Sequence, residues 1–338
     1  MAADAGLIAP QSDAAIYMAK KQFYDQRREY NAILAREARE DHLFEYLRDA
    51  AERLNEQLPL LPQAFARNEY HTGKNEAVLV LSDWHYGMVA DNIWNKYNTN
   101  ICRERVGHLV DKAIERLRLH NVPVLHVLIL GDMANGAIHV TSRVAAEEHV
   151  VDQLMQVSEL LAETIARLAD VVSVTNIYCT YGNHMRTVQN KKDSLHADNM
   201  ERIIPWWLEE RFRARDDVYV VDTGRDELIG AVVCGTAIGA VHGDLDGAKE
   251  TPLIMAQMYE RTYGLKMRYL FSGHLHSPLD SENYGITSIR VGGLCGADEF
   301  AKNARLFSEP SQTLAIFECG DIDALYNIRL EGSACRRS

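Results

Sequence analysis

The stretch AVLVLSDWHYG (77–87) decides the fold, because a continuous apolar run ends there in a polar cluster that contains an aspartate and a histidine. The runs VLHVLIL (124–130) and VVSVTNIYCT (171–180) repeat the pattern of β-branched and apolar residues. Residues 144–169, between these two runs, have an amphipathic helical pattern. Apolar strands that alternate with helices are typical of βαβ units around a buried sheet.

Beyond residue 217 the apolar runs lie closer together and fewer segments have a helical pattern. Four of these runs are VYVVD (218–222), AIGAVHG (237–243), MRYLFSG (267–273) and TLAIFE (313–318). This half therefore predicts a second, mostly antiparallel sheet. The expected fold class is α/β, with two mixed β-sheets stacked face to face and helices on the outside.

The amino-terminal part of the chain has a different composition. Residues 13–58 contain no Gly or Pro and are rich in Ala, Glu, Arg and Lys, which predicts a helix that Pro59 and Pro62 end. We therefore expect a helical extension with a linker at residues 1–70, followed by the main domain at residues 71–338.

This predicted helix has an apolar stripe with heptad spacing, which is interrupted towards the amino terminus by Glu37 and Glu40. Such a stripe is typical either of a helix packed on its own domain or of a coiled-coil homodimer, and the two charged positions favour the first alternative. The stripe consists of Phe44, Leu47, Ala51, Leu54 and Leu58.

Composition narrows the class of protein. The net charge of −12 argues against non-specific coating of nucleic acid, although it leaves open the capture of phosphate through metal ions. The six cysteines form no CxxC pair and several lie in apolar runs, which predicts buried free thiols in a reducing compartment. No signal-peptide pattern and no apolar run of roughly 20 residues occurs. We therefore expect a cytoplasmic protein without a membrane partner.

Five apolar runs each end in a polar cluster, and in α/β sheets such strand ends converge on one crevice. The clusters are SDWHYG (82–87), GDMANG (131–136), GNHM (182–185), HGD (242–244) and SGHLHS (272–277). Each cluster alone is more typical of a turn or a helix cap. Taken together, they offer nitrogen and oxygen ligands for two first-row metal ions. The candidate metal ligands are Asp83, His85, Asp132, Asn183, His242, His274 and His276.

The last cluster lies in FSGHLHSP (271–278), directly after an apolar run. If the strand continues through it, the period-two alternation of side chains places His274 and His276 on the same side of the chain. The pair is then either part of a metal site or two polar residues in a turn.

The five clusters in this order resemble the signature blocks of the calcineurin-like metallophosphoesterase superfamily, over roughly residues 77–318. The resemblance implies an αββα sandwich with two divalent metal ions, and hydrolysis of a phosphoester through a metal-bridging hydroxide. Manganese is the expected metal, with iron, zinc or nickel as alternatives. The implied ligands are Asp83, His85 and His276 for the first ion, Asn183, His242 and His274 for the second, and Asp132 as the bridge between them. His184 is implied to be the catalytic histidine.

Departures from the family pattern bear on the substrate. GDMANGA lacks the arginine of the GDxxDRG motif of the protein phosphatases, and Met185 replaces the acid of GNHE or GNHD. Both departures weaken a protein-phosphatase interpretation. Arg186 is a candidate substrate-binding residue, with an ordinary exposed arginine as the alternative. Lys191 belongs to a basic stretch that either guides a nucleic-acid backbone or is a solvated loop.

The helical leader and the segment GGLCGADEFAKNARLFSEPSQTLAIFE (292–318) are similar to phage-type, exonuclease-like metallophosphoesterases. The leading hypothesis is therefore a phosphodiesterase or nuclease acting on DNA or RNA. The alternatives are an enzyme for small nucleotides or phosphoproteins and a non-catalytic scaffold of the same fold. Nucleic acid or a nucleotide phosphodiester is the expected partner, and a homodimer through the leader helix is the further alternative.

Overall fold

A computed structural model describes residues 74–138, 146–191, 193–223, 227–245, 251–305 and 307–330, together with Lys21, residues 25–27 and Glu45. The chain divides into two units, Met1–Glu52 and Arg53–Ser338. Of the predicted helical extension, only the five described residues can be placed, and all five are helical. The boundary near residue 70 and the apolar stripe lie outside the described residues.

The first sheet contains six strands and is parallel at its centre. Its strands are β1 Glu76–Leu81, β4 Val124–Ile129, β5 Val174–Cys179, β6 Val218–Val221, β12 Ser311–Glu318 and β13 Asp321–Arg329. Their spatial order is β13-β12-β1-β4-β5-β6. Strands β1, β4, β5 and β6 run parallel, whereas β12 and β13 are antiparallel to their neighbours. A separate short hairpin consists of β2 Ala90–Asp91 and β3 Lys96–Tyr97.

The second sheet contains five strands, β7 Ile229–Val233, β8 Thr236–Val241, β9 Met267–Ser272, β10 Leu279–Asn283 and β11 Ile286–Arg290. Their spatial order is β10-β11-β9-β8-β7. The prediction of a mostly antiparallel sheet is wrong, because β9 pairs in parallel with both β8 and β11. A helix at Thr251–Tyr263 connects β8 to β9, which is the crossover that a parallel pair requires. In addition, β6, β12 and β13 belong to the first sheet although they lie in the second half of the sequence.

The main core lies between the two sheets. Val78 and Val80 of β1 and Leu128 of β4 pack in one cluster with Phe271 of β9 and Ile238 of β8, and all five side chains are buried. Alternation along β1 directs Leu79 and Leu81 to the opposite face of the first sheet. The prediction of two stacked mixed sheets is therefore confirmed.

Helices flank both sheets. They are α1 Thr99–Leu119, α2 Val150–Ala169, α3 Ile203–Phe212, α4 Thr251–Tyr263 and the short α5 Glu299–Ala304. Helix α1 contacts β13, α3 contacts β5 and β6, and α2 contacts both α1 and α3. Helix α4 covers the other face of the second sheet, where Met255 and Tyr259 pack against Val241 and Met267.

The cysteines are less uniform than predicted. Among the described residues they are all free, but only Cys102, Cys179 and Cys295 are buried, whereas Cys319 is exposed at a turn between two strands. Within the part of the chain that the structure describes, every helix is too short or too polar to cross a bilayer.

Candidate metal centre

All five predicted clusters begin where a strand ends, after β1, β4, β5, β8 and β9. Two hydrogen bonds join the loops of the first sheet to those of the second. The backbone amide of His274 donates to Oδ2 of Asp83 at 2.9 Å, and Nδ1 of His242 donates to the carbonyl of Leu130 at 2.8 Å. The carboxyl ends of strands from both sheets therefore meet in one place.

The backbone at this place is in an unusual conformation. Five candidate ligands have positive φ angles, which non-glycine residues adopt rarely and which cluster at functional sites. These angles are 54° at Asp83, 45° at His85, 51° at Asp132, 67° at His274 and 55° at His276. The alternation expected in FSGHLHSP does not apply, because β9 ends at Ser272 and the two histidines that follow have left-handed backbone angles.

One group of donor atoms is formed by Asp83, His85 and His276. Oδ1 of Asp83 lies 3.3 Å from Nε2 of His276 and 3.9 Å from Nε2 of His85. The other carboxylate oxygen, Oδ2, accepts a hydrogen bond from Oγ of Ser82 at 2.7 Å, which fixes the orientation of the carboxylate. Oδ1 is buried and has no hydrogen-bond partner among the described residues, so it is available to a cation.

A second group is formed by Asp132, Asn183, His242 and His274. Nε2 of His242 lies 3.2 Å from Oδ2 of Asp132 and 3.3 Å from Oδ1 of Asn183. Because Nδ1 of His242 donates to a carbonyl, Nε2 of the neutral ring would offer its lone pair to a metal ion. The ligand atoms of Asp132, His242 and His274 all lie within 4.8 Å of one another. The structure thus places His274 with the second group and His276 with the first.

His184 lies beside both groups. Its Nδ1 donates to the carbonyl of Asn135 at 2.9 Å, its backbone amide donates to Oδ1 of Asp132 at 2.8 Å, and its ring centroid is 4.5 Å from that of His85. These contacts orient His184 although Met185, which is fully buried, replaces the acid of the family pattern.

Arg186 contacts its own loop. Its guanidinium donates to the carbonyls of Asn183 at 2.9 Å, Val188 at 3.1 Å and Gln189 at 2.9 Å. These bonds give Arg186 a role in fixing the loop that carries Asn183, and its contact with substrate stays a prediction. Lys191, farther along this loop, forms an ion pair with Asp244 at 3.1 Å.

The protonation states of the candidate ligands depend on their burial and on the charges of the neighbouring ligands. Burial opposes ionisation of Asp132, but the facing imidazoles of His242 and His184 hold the pKa of its carboxyl well below the ordinary range. Burial likewise opposes protonation of His242, but Asp132 and Asp83 raise the pKa of His242 to about 10. Burial and the neighbouring His184 lower the pKa of His85, which favours the neutral imidazole that binds metals. Without a metal ion, a proton on His242 therefore neutralises Asp132, and metal binding would release it.

Two glycines allow the ligand loops to approach each other. A Cβ at Gly182 would lie 2.1 Å from Oδ1 of Asp132, and a Cβ at Gly131 would lie 2.1 Å from the backbone nitrogen of Gly182. The close approach, the two groups of nitrogen and oxygen atoms and the buried Oδ1 of Asp83 fit divalent first-row metal ions. The residues present therefore fit the pair of ions that the resemblance implies.

Several residues that support this site were not predicted. Sγ of Cys295 lies 3.6 Å from Nδ1 of His276, on the side of the ring opposite the donor group. The buried Arg105 donates to the carbonyls of Leu294 at 2.9 Å and Cys295 at 2.8 Å. Glu201 accepts hydrogen bonds from the loop of Asp132. These residues come from distant parts of the chain and belong to none of the strand-end clusters.

Comparisons with known proteins identified a curated relative and several solved structures of low sequence identity. No protein-family model matches the chain. The SPbeta prophage-derived uncharacterized protein YonJ of Bacillus subtilis (strain 168) is 24% identical over 293 residues, which cover 83% of this chain and 70% of that protein. The two stacked sheets and the two donor groups at their common edge are what the resemblance to calcineurin-like metallophosphoesterases implies.

Solved structures similar to this chain include three with low sequence identity. A novel archaeal phosphodiesterase is 14% identical, with a TM-score of 0.37 over 75% of this chain and 99% of that chain. A predicted phosphoesterase from Streptococcus pneumoniae TIGR4 is 13% identical, with a TM-score of 0.34 over 75% and 90%. Vps29 of Entamoeba histolytica, complexed with zinc, is 15% identical, with a TM-score of 0.34 over 75% and 99%.

Proposed function

We propose that this chain is a metal-dependent phosphodiesterase of the calcineurin-like metallophosphoesterase type that hydrolyses nucleic acid, either DNA or RNA. The observation that carries the proposal is the position of Asp132, whose carboxylate lies within 4.8 Å of ligand atoms of His85 and His184 and also of His242 and His274. This arrangement combines a place for a phosphate with a group that can transfer a proton.

The proposed ligands divide between two ions. Asp83, His85 and His276 would hold one, Asn183, His242 and His274 the other, and Asp132 would contact both. When bound, such a pair of divalent ions activates water for attack on phosphorus and neutralises charge on the phosphoryl oxygens. Manganese is the proposed metal, because carboxylate and amide oxygens suit it, and the four imidazoles make iron, zinc or nickel the alternatives.

The chain itself would supply the proton for the leaving oxygen. Nδ1 of His184 donates to the carbonyl of Asn135, which holds the ring in one orientation and leaves proton transfer to Nε2. The backbone bond from His184 to Oδ1 of Asp132 ties this ring to the ligand that both ions would share. A protonated Nε2 would therefore lie next to the phosphate and donate to the oxygen that departs.

Two further features support nucleic acid as the substrate. The chain lacks the arginine of the protein-phosphatase motif, and a prophage-derived protein is among its relatives. Leu275, which lies between His274 and His276, has 59% of its surface exposed, so the mouth of the site has an apolar contact for a base.

A small nucleotide is the second candidate substrate, and the charges favour it. The net charge is −12, and the nearby cations Arg186 and Lys191 are engaged with loop carbonyls and Asp244. A long polyanion depends on more such cations than a mononucleotide does.

A substrate panel distinguishes these candidates. Manganese-loaded protein is assayed on single-stranded DNA, duplex DNA, RNA, cyclic nucleotides and a phosphopeptide, with His184→Ala as the control for contaminating enzymes. The proposal predicts turnover of a polynucleotide that the control lacks. Turnover of cyclic nucleotides alone would replace it with the second candidate.

Two more predictions complete the proposal. We propose a cytoplasmic location, supported by the free cysteines among the described residues. Dimerisation through residues 1–70 stays a prediction that a concentration-dependent mass measurement with and without those residues tests.

A further inference from the structure

A buried carboxylate outside the proposed ligand set joins two of the ligand loops. Glu201, in a short 3-10 helix at Met200–Arg202, has 1% of its surface exposed. Its Oε2 accepts hydrogen bonds from the backbone amides of Asp132 at 3.0 Å and Gly182 at 2.8 Å. Its Oε1 accepts from the amides of Met133 at 2.5 Å and Ala134 at 3.4 Å. One side chain thus binds the loop of Asp132 and the loop of Asn183 and His184.

Glu201 is itself fixed to the second of these loops. Its backbone amide donates to Oδ1 of Asn199 at 3.0 Å, and Nδ2 of Asn199 donates to the carbonyl of Gly182 at 2.6 Å. The amide of Met200 donates to the carbonyl of Met185 at 2.9 Å. The position of the carboxylate is therefore set by the loop that carries two of the proposed site residues.

The chemistry of these contacts requires a carboxylate. Four N–H groups point at its two oxygens, and a carboxylate can accept at both. A glutamine side chain would turn an NH2 group towards at least one of these amides, so donors would face donors. Within the described part of the chain Glu201 forms no ion pair with Lys or Arg, so backbone amides provide the compensation for its charge.

We infer that Glu201 is a positioning residue for the metal centre, holding Asp132 and the Asn183–His184 loop at the separation that two ions require. The inference rests on the proposed function, because it presupposes that both groups bind metal. It assigns Glu201 no contact with substrate or metal.

The test compares Glu201→Gln with Glu159→Gln in the full-length protein. Glu159 is a matched control, because its carboxylate also accepts several hydrogen bonds, from Nε1 of Trp207 at 3.1 Å and from Nε and Nη2 of Arg211 at 3.0 Å and 2.9 Å. It links α2 to α3 and contacts none of the proposed ligands. Three quantities are measured: amide hydrogen exchange of the metal-free protein, Mn²⁺ binding by equilibrium dialysis, and the midpoint of thermal unfolding.

For Glu201→Gln we expect faster exchange at the amides of Asp132, Met133, Ala134 and Gly182 in the metal-free protein. We also expect about 10–100-fold weaker binding of the second Mn²⁺ ion, the usual effect of losing a group that orients a metal ligand. Glu159→Gln should change the unfolding midpoint but leave exchange at those four amides and both Mn²⁺ affinities as in the wild type.

Each other outcome decides the matter. If the wild type binds fewer than two Mn²⁺ ions, the proposed function fails whatever Glu201 does. If the wild type binds two and Glu201→Gln matches it in affinity and exchange, the positioning role is overturned. Should Glu201→Gln not fold, Glu201→Asp keeps the charge on a shorter side chain and should fold with a weakened second ion. Wild-type Mn²⁺ affinity in that variant, or its failure to fold, would reduce Glu201 to a residue for stability alone.

Discussion

Nε2 of His85 lies 3.2 Å from Nε2 of His276, and both nitrogens face Oδ1 of Asp83. Burial opposes protonation of His276, but Cys295 and Asp83 raise the pKa of His276 well above its ordinary range, so in the metal-free protein a proton on His276 relieves the repulsion between these atoms. A divalent cation bound by the three atoms would displace that proton, because metal ions bind neutral imidazole. The predictions below test whether the same holds around Asp132 and what the neighbouring residues contribute.

Replacing Asp132 with alanine should abolish metal binding and turnover together, because its carboxylate lies within 4.8 Å of ligand atoms of His85 in the first donor group and of His242 and His274 in the second. Metal content after dialysis and the rate on the best substrate of the panel measure both effects. Asp111→Ala serves as the control, since Asp111 is an exposed residue of α1 that forms an ion pair with Arg167 of α2. Turnover retained by the Asp132→Ala protein would refute the assignment of the site.

Replacing His184 with alanine should leave the metal content unchanged and lower turnover about 10²–10⁴-fold, the range for removal of a general acid. The reason is that His184 borders the donor groups without belonging to the proposed ligand set. His120→Ala is the control, because His120 pairs with the hydroxyl of Tyr326 at 2.7 Å, away from the site. Loss of metal from His184→Ala would make this histidine a ligand instead.

Gly182→Ala should weaken metal binding, because the added Cβ would lie 2.1 Å from Oδ1 of Asp132. We expect a loss of about 1–3 kcal/mol in the free energy of unfolding, as for other overpacked sites. Gly107→Ala is the matched control, since Gly107 lies within α1 and a Cβ added there would meet no atom within 4 Å. That change should stabilise the protein by about 0.5–1 kcal/mol. Wild-type metal affinity in Gly182→Ala would show that the loops have room to separate.

The proposed ligands were predictable from sequence because each lies within four residues of the end of its strand, so five short motifs marked five strand ends. The residues that support them were not. Glu201 bonds to an amide 69 residues away and Arg105 to a carbonyl 189 residues away, and neither position differs locally from an ordinary surface residue. The parallel pairing of β9 was also missed, because the residues that form α4 have only a weak apolar stripe.

His196 provides a prediction about pH. The carboxylates of Asp244 and Glu227, which lie 3.5 Å and 2.8 Å from its ring nitrogens, raise the pKa of His196 to about 9. A pKa that is raised in the folded state increases the free energy of unfolding. This contribution is complete when the pH is below the pKa of the unfolded state, about 6.5, and it is lost as the pH rises through the pKa of the folded state. His196→Gln should therefore cost on the order of 1 kcal/mol near pH 6.5 and almost nothing near pH 10.

Chemical denaturation of both proteins across this pH range, in metal-free buffer, measures the difference. A matched variant, Glu227→Gln, removes the partner that lies 2.8 Å from Nδ1 of His196 and should reduce the pH dependence. A stability difference that stays constant or grows towards pH 10 would show that the charge on His196 does not stabilise the fold.

Anomalous diffraction from crystals of the manganese-loaded protein tests the central claim most directly. The account predicts two peaks, one contacted by Asp83, His85 and His276 and the other by Asn183, His242 and His274, with Asp132 touching both. A single peak, no peak, or His274 and His276 on the same ion would contradict it.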